Sequence, residues 1–332
     1  MNTAAKPKMT EERLEEIRKA ASETTKEALA TQDSTPSAQG EQSYYGLPAL
    51  KAPVWTWEVP LYFFFGGIAG LSACVAFVAQ SFRSDPALIR VSLWAALLGA
   101  AICPVLLIAD LGRPARFLNM LRVFKLRSAM SLGAWILTAF SGCAFVAVFC
   151  FELLLRGFTN PLLTPLLWLA EISAAAVGLL LASYTAVLIG ATAIPVWSEN
   201  RKILPVHFLT SGLGCSAAIL ELAGFLIPAT QVLGFAASGI ETLIEIFLEV
   251  RKRPIDAPLH HGKSGVTLRI AGLLEGPVAL ALRAFWGSLP AGRHAAAVCF
   301  LIGALLSRYA WIWAGRASAR DPHALFQLQR KA

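Results

Sequence analysis

Eight long apolar runs constrain the fold of this chain more than any other feature of its sequence. Each run is near or above the roughly 20 residues that a helix needs to cross a bilayer. Backbone polar groups in lipid must bond within their own segment, so the runs predict helices. We therefore predict an all-α polytopic membrane protein, a bundle of eight transmembrane helices in two four-helix halves. The runs lie near residues 57–80, 88–109, 131–155, 166–195, 205–229, 231–250, 268–287 and 295–314.

The composition agrees with this prediction and excludes a soluble enzyme. The chain has 332 residues, of which 56% are hydrophobic and only 15% are charged, whereas soluble chains are about a quarter charged. The net charge of +8 raises nucleic-acid binding as an alternative. However, the basic residues cluster beside the apolar runs, as they do in cytoplasmic loops of membrane proteins. We expect contact with membrane lipid and none with nucleic acid.

The chain divides into three predicted regions. Residues 1–43 form a polar, partly disordered tail, residues 44–315 contain the eight runs, and residues 316–332 form a basic tail. The first run begins near Trp55 and is too long for the apolar part of a signal peptide, so no cleaved leader is expected. The fourth run is long, so a tilted helix or a kink near Pro195 is expected. The weakest boundary, between the fifth and sixth runs, consists only of Pro228-Ala229-Thr230-Gln231.

Lys and Arg residues are distributed unequally between the two ends of the predicted bundle. With eight spans, both termini lie on one side, and fifteen Lys and Arg residues of the loops and C-terminal tail lie there against five on the other. Cytoplasmic loops carry such an excess. The bias predicts a bacterial-type inner-membrane protein with both termini in the cytoplasm.

Acidic residues inside the apolar runs are candidates for a function, because an ionised group at the bilayer centre costs about 2.5–3.5 kcal/mol. Glu241, Glu245 and Glu249 recur every four residues on one helix face. This pattern fits a proton relay or, alternatively, a helix end at the membrane surface with Glu249 beside Arg251. Glu275 is a further acid in an apolar run. The residues assigned to a proton path are Asp110, Glu171, Glu221, Glu241 and Glu245.

No haem or metal centre is expected in this chain. Bis-histidine haem ligation needs histidines inside the helices, and of five histidines only His207 lies in a confident span. The six cysteines lie in apolar runs without a C-x-x-C pair, which predicts buried thiols. Walker, G-x-G-x-x-G, H-E-x-x-H and G-x-S-x-G motifs are missing as well.

The stretch from Asp110 to Gly133, DLGRPARFLNMLRVFKLRSAMSLG, resembles the NrfD/PsrC family, the membrane subunits of polysulfide reductases. Members carry an acidic-x-Gly-Arg-Pro-x-Arg-Phe loop after the second span and a Ser-x-Met-Ser-x-Gly start to the third. YYGLP from Tyr44, the following WTWEVPLYFFFGGIAG, and SYTAVLIGATAIPVW in the fourth run agree. The resemblance covers about residues 44–315.

This resemblance implies a role in anaerobic respiration and a set of partners. Such subunits anchor a ferredoxin-like iron–sulfur subunit and a catalytic subunit, commonly a molybdopterin enzyme. They bind a quinone or quinol such as menaquinone near the iron–sulfur face, without haem or metal. The chain is therefore expected to pass electrons between the quinone pool and the partner's cluster, while the terminal chemistry takes place in the partner.

The resemblance also places the quinone pocket among the first four helices. Tyr62 stands where a relative has His, and Tyr184 stands at a tyrosine position of the pocket. Val59 stands where a relative has Asn, and Glu58 is our inferred replacement. The expected quinone-binding residues are Tyr62, Tyr184, Glu58 and His207.

The basic loop after the second run is the expected docking surface for the partner. Asp110 opens this loop, and its expected structural role is a pair with Arg113 or Arg116. Many relatives place the iron–sulfur partner on the periplasmic face, whereas the charge bias makes this side cytoplasmic. We favour a cytoplasmic partner over basic loops that dock an acidic partner outside. The docking residues are Arg113, Arg116, Arg122, Lys125 and Arg127.

Three other functions remain open. A proton-coupled secondary transporter would use Glu221, Glu241 and Glu245, although no convincing internal repeat is present. A purely structural anchor would have no quinone site. A haem-bearing anchor is disfavoured by the histidine count.

Overall fold

The computed structural model describes residues 55–111 and 128–321, with a few isolated positions outside these ranges. Within them, eight helices are long and apolar enough to cross a membrane, and no strand is present. The predicted all-α, eight-span fold is therefore confirmed. In chain order the helices are α1 (Glu58–Ser81), α2 (Pro86–Asp110), α3 (Ala129–Leu155), α4 (Leu163–Gly190), α5 (Ile203–Leu222), α6 (Pro228–Val250), α7 (Gly262–Trp286) and α8 (Pro290–Ala319).

Packing divides the bundle into two four-helix halves. Helices α1–α4 pack mainly with one another, and α5–α8 do the same. Contacts of α1 with α5 and α8, and of α4 with α5, join the halves. Helices that cross one bilayer in succession alternate in direction, so each end of the bundle gathers one end of every helix. The first face is the end that contains Glu58, Asp110, Gly190, Ile203 and Val250, and the second face contains Ser81, Pro86, Leu222 and Pro228.

Prolines determine where α4 ends and where α6 begins. Both positions differ from the helix ends predicted from the apolar runs. α4 ends at Gly190, before the end of the predicted run at Pro195, and a separate short helix, Pro195–Glu199, follows. Ile194 has an extended backbone, because the residue before a proline is disfavoured in the helical conformation. α6 begins at Pro228, so the break between the fifth and sixth spans precedes this residue.

α1 approaches its neighbours through glycines. A Cβ on Gly178 of α4 would lie only 2.6 Å from the Gly70 carbonyl oxygen, and a Cβ on Gly70 would overlap Gly178 in turn. On another side of α1, a Cβ on Gly212 of α5 would lie 3.0 Å from the Gly67 carbonyl oxygen. Small residues permit such close backbone contact between membrane helices. α1 is therefore the helix around which both halves are assembled.

The substitution Gly70→Val is expected to destabilise the bundle, because the added side chain has no space against α4. Overpacking costs about 1–3 kcal/mol, so the melting temperature is expected to fall. The measurement is thermal unfolding of the detergent-solubilised protein. Gly142→Val is the matched control, because a Cβ on Gly142 of α3 meets nothing within 4 Å. Equal melting temperatures for the two variants would contradict the packing argument.

Candidate functional site

Tyr62 and Tyr184 converge inside the first half of the bundle. Tyr62 lies one turn into α1, is 3% exposed, and is close enough to Tyr184 of α4 for the two to interact electrostatically. The Tyr184 ring lies against Gly133 of α3, and its hydroxyl donates a hydrogen bond to the Ala129 carbonyl oxygen. Among the described residues the Tyr62 hydroxyl has no hydrogen-bond partner, although buried tyrosines usually have one. This hydroxyl is thus available to a ligand.

Two carboxyl groups lie at the first-face end of the same half. The Thr56 hydroxyl contacts both Glu58 and Asp110, with 3.0 Å to Oδ1 of Asp110. Glu58 is 1% exposed and precedes Tyr62 by four residues, so the two side chains lie on one face of α1. The arrangement places groups that can exchange protons between the tyrosine site and the first face.

His207 lies in the second half, where its imidazole ring stands between two carboxyl groups. Its Nδ1 is 2.7 Å from Oε2 of Glu241, and its Nε2 is 4.0 Å from Oε1 of Glu275. The Ser211 hydroxyl donates to Oε2 of Glu275 at 3.1 Å. His207, Glu241 and Glu275 are all buried, and we call them the second-half cluster. The structure therefore places His207 with these acids, and the aromatic rings of Phe63 and Phe208 lie between it and Tyr62.

The three side chains of the second-half cluster could each offer a ligand atom to one metal ion. Their arrangement argues against this use, because the two carboxyl groups face opposite nitrogens of the ring. The buried guanidinium of Arg308 interacts electrostatically with both Glu241 and Glu275 and lies 3.7 Å from the centre of the Phe208 ring. A fixed cation beside the acids opposes a divalent cation, and the hydrogen bond to Glu241 already occupies Nδ1 of the ring.

α7 is interrupted at the residue that it contributes to this cluster. Leu274–Val278 forms a single π-helical turn, in which Gly276 has φ −95° and ψ −107° and Pro277 lacks a backbone N–H. A Cβ on Gly303 of α8 would lie 2.8 Å from the Glu275 nitrogen, so α8 comes close at the same level. Interrupted helices in membrane proteins often carry ion or proton sites.

A row of acids leads from the cluster to the first face. Glu245 lies one turn beyond Glu241 and packs against Gly272 of α7. Glu249, a further turn along, is 37% exposed and pairs with Arg269 and, at 3.5 Å, with Nδ1 of His260. The three acids on one face of α6 therefore connect the buried cluster with the membrane surface.

Arg251, which the sequence offered as a neighbour of Glu249, belongs to a different cluster. The chain leaves α6 at Arg251, so its guanidinium turns toward Asn200 and Asp256, with 3.1 Å from Nε to the carboxylate. Arg253 donates to the same carboxylate at 2.9 Å. Burial alone would raise the pKa of Asp256, but hydrogen bonds from Arg253 and Asn200 outweigh it and hold the pKa below its usual range. This buried carboxylate ties the connection after α6 to the loop before α5.

The remaining predicted acids lie apart from both sites. Glu221, near the second face, accepts hydrogen bonds from two buried arginines, Arg283 at 2.7 Å and Arg293 at 2.8 Å. Glu171 of α4 is 1% exposed, and its oxygens have no hydrogen-bond partner among the described residues. Glu221 is thus held in an ion pair at the opposite end of the second half, and Glu171 is an isolated buried carboxyl group of the first half.

The predicted docking loop lies almost wholly outside the described residues. Arg122, an isolated described position, is exposed. The docking role of the loop and the expected pairing of Asp110 stay predictions. The positions that lie outside the description are Arg113, Arg116, Lys125 and Arg127.

A family model described as "Polysulphide reductase, NrfD" matches residues 48–244. This stretch is more than half of the chain. The chain belongs to the NrfD family. The match contains α1–α5 and most of α6, and with them Tyr62, Tyr184, His207 and Glu241, whereas Glu275 and Arg308 lie beyond it. No curated protein matches the sequence significantly.

Three side chains that complete these sites were missed in the sequence. Thr56 and Ser211 carry no signal, because a hydroxyl in or beside an apolar run is common. Arg308 did carry one, since an arginine in the middle of an apolar run needs a buried partner. Only the position of α8 against α6 and α7 shows that Arg308 interacts with Glu241 and Glu275.

The Asp256 carboxylate predicts an acid-sensitive stability. Its pKa is lower in the folded state than in the unfolded state, so its stabilisation is complete above the unfolded value of about 3.9 and is lost as the pH falls through the folded value. We expect Asp256→Asn to lower the melting temperature at pH 7 and to reduce its further fall between pH 5 and pH 3. The measurement is thermal unfolding in detergent across that range. A variant with the melting temperature and acid slope of the wild type would contradict the assignment.

Proposed function

We propose that this chain is the quinone-interacting membrane subunit of a multi-subunit respiratory oxidoreductase. Membership of the NrfD family supports the coarser role, a membrane subunit of a polysulfide-reductase-type complex. The observation that supports the finer role, quinone binding, is the position of Tyr62: its side chain is buried beside Tyr184, and its hydroxyl makes no hydrogen bond to another described residue. A quinone carbonyl is an acceptor for such a donor, and the surrounding helices supply an apolar environment for the ring.

The side chains around this hydroxyl fit the proton chemistry of a quinol. Oxidation of a quinol releases two protons together with two electrons, so the pocket needs a donor that orients the ring and acids that accept protons. Tyr62 would orient the ring, and the oxygen of Tyr184 can accept a hydrogen bond because its proton is given to the Ala129 carbonyl. Glu58 and Asp110, joined through Thr56, would carry the protons to the first face.

The electrons would leave through a partner on the first face. We propose a ferredoxin-like iron–sulfur subunit there, with a molybdopterin-type or other catalytic subunit beyond it and menaquinone or another quinone as the membrane substrate. Exposed cations on this face, Arg201, Lys202, Lys252 and Lys263, support an acidic partner surface. The Lys and Arg bias supports an inner-membrane protein whose first face is cytoplasmic.

The second half favours a second candidate function, movement of protons. An imidazole ring between two buried carboxyl groups, beside an interrupted helix, supports proton transfer rather than simple packing. Glu245 and Glu249 would connect this cluster to the first face. Such a route fits either a proton-coupled transporter or proton movement linked to quinone chemistry.

Tyr62→Phe is expected to weaken quinone binding about 2- to 10-fold, the equivalent of one hydrogen bond of about 0.5–1.5 kcal/mol. The measurement is a titration of the purified protein with a menaquinone analogue, followed by quenching of tryptophan fluorescence. Tyr309→Phe is the matched control, because its hydroxyl donates to the Trp57 carbonyl oxygen at 3.1 Å. Unchanged affinity after Tyr62→Phe combined with Tyr184→Phe would contradict a site at these tyrosines, and a wild-type chain without saturable quinone binding would favour a purely structural anchor.

Glu241→Gln is expected to abolish most proton flux through the second half, because an amide cannot pass a proton to His207. The measurement is the response of a pH dye inside proteoliposomes after a potassium diffusion potential is applied. Glu199→Gln serves as the control, since this acid pairs with Arg253 outside the spans. A wild-type chain without flux, or equal flux in both variants, would argue against proton conduction.

A further inference from the structure

A groove on the outside of the bundle lies where the two halves meet. It has a volume of about 650 Å³ and follows α2, with Phe65 and Ile68 of α1 and Ile219 of α5 also lining it. The volume falls within the range of about 300–1,000 Å³ that is usual for sites of small ligands. Arg90 and Trp94 line the end nearest the second face, and the rest of the lining is apolar. The groove therefore has one polar end and one apolar end.

The length of the groove matches one leaflet of a bilayer. Along α2 it extends from Arg90 to Ile102, which is about 18 Å at about 1.5 Å per residue. Half of a hydrocarbon core is about 15 Å. Ala95 lies between these ends, and its small side chain leaves the groove open. Gly99 also lines the groove, and a Cβ there would lie 2.8 Å from the Ala69 Cβ, so this glycine permits the close approach of α1. The groove is therefore long enough to hold one acyl chain of a lipid in the second-face leaflet.

The polar end carries an excess of positive charge. Arg90 donates to Glu152 of α3 through Nε at 2.6 Å and Nη2 at 3.0 Å, and the Trp94 indole donates to the same carboxylate at 2.8 Å. Arg156 also interacts electrostatically with Glu152. Two guanidinium groups therefore surround one carboxylate, and the Arg90 side chain is 53% exposed. Arginine binds phosphate oxygens well, and tryptophan is typical of the headgroup level.

We propose that this groove binds an anionic phospholipid of the second-face leaflet, with one acyl chain along α2 and the phosphate at Arg90 and Arg156. The positive end distinguishes this occupant from a neutral quinone, whose expected hydroxyl contacts at Tyr62 and Tyr184 lie toward the first face. The bound chain fills the space between α2 and α5 and so braces the two halves against each other. The inference does not depend on quinone binding.

The test compares variants of the full chain, purified in mild detergent, by native mass spectrometry and by extraction of bound lipid. Ala95→Phe fills the groove, and Ala236→Phe is its matched control on the exposed surface of α6. Arg90→Gln removes one charge, and Arg83→Gln is its control on the same face. We expect the wild type and both controls to retain one anionic phospholipid, and Ala95→Phe and Arg90→Gln to lose it.

Lipid addition provides a second readout that does not require a lipid to survive purification. Phosphatidylglycerol added to delipidated protein is expected to raise the melting temperature of the wild type and of Ala236→Phe, and to leave that of Ala95→Phe unchanged. Phosphatidylcholine is expected to have a smaller effect. Equal responses to the two lipids, equal retention in the two phenylalanine variants, or quinone in place of phospholipid would overturn the proposal.

Discussion

The hydrocarbon core of a bilayer offers no hydrogen bonds, and the rest of this structure depends on that constraint. Each spanning segment must satisfy its own backbone, so the chain is helical wherever it crosses. The same constraint acts on side chains, because a buried charge without a partner is costly. Arg283 and Arg293 meet on Glu221, and His207 stands between Glu241 and Glu275, so the ionisable groups of the second half are grouped and not scattered.

Helices in lipid gain little from the hydrophobic effect between them, so close packing must hold them together. This explains why α1 carries glycines on more than one side: Gly70 meets α4, and Gly67 meets α5. Because α1 packs closely against both halves, it holds the first-half tyrosines and the second-half cluster in one bundle. Phe63 and Phe208 fill the space between them, and aromatic packing keeps the two polar sites separate.

The two polar sites differ in the chemistry that they can support. In the first half, Tyr62 offers a hydroxyl donor, Glu58 and Asp110 lie at the first-face end, and the buried Glu171 lies apart from the tyrosines. This arrangement suits a neutral ligand from the lipid phase. In the second half, two acids flank an imidazole ring, with Glu241 hydrogen-bonded to it and Glu275 at 4.0 Å, and Arg308 offsets part of their charge. That arrangement fits the movement of protons proposed for this half. The proposed quinone chemistry and the proposed proton movement therefore fall on separate sites in the two halves of the bundle.

The sequence by itself determined the number of spans, the all-α class and the family, because apolar length and the loop after Asp110 are local properties of the chain. It also identified most of the ionisable residues that matter, since a charge in an apolar run is conspicuous. Helix ends near Pro195 and Pro228 were misplaced by a few residues, because a proline breaks a helix without interrupting its hydrophobicity. Only the tertiary structure decided that His207 belongs with Glu241 and Glu275 and that Arg251 belongs with Asp256. Such partners lie on different helices, and their distances depend on how the helices rotate and cross, which no local pattern encodes.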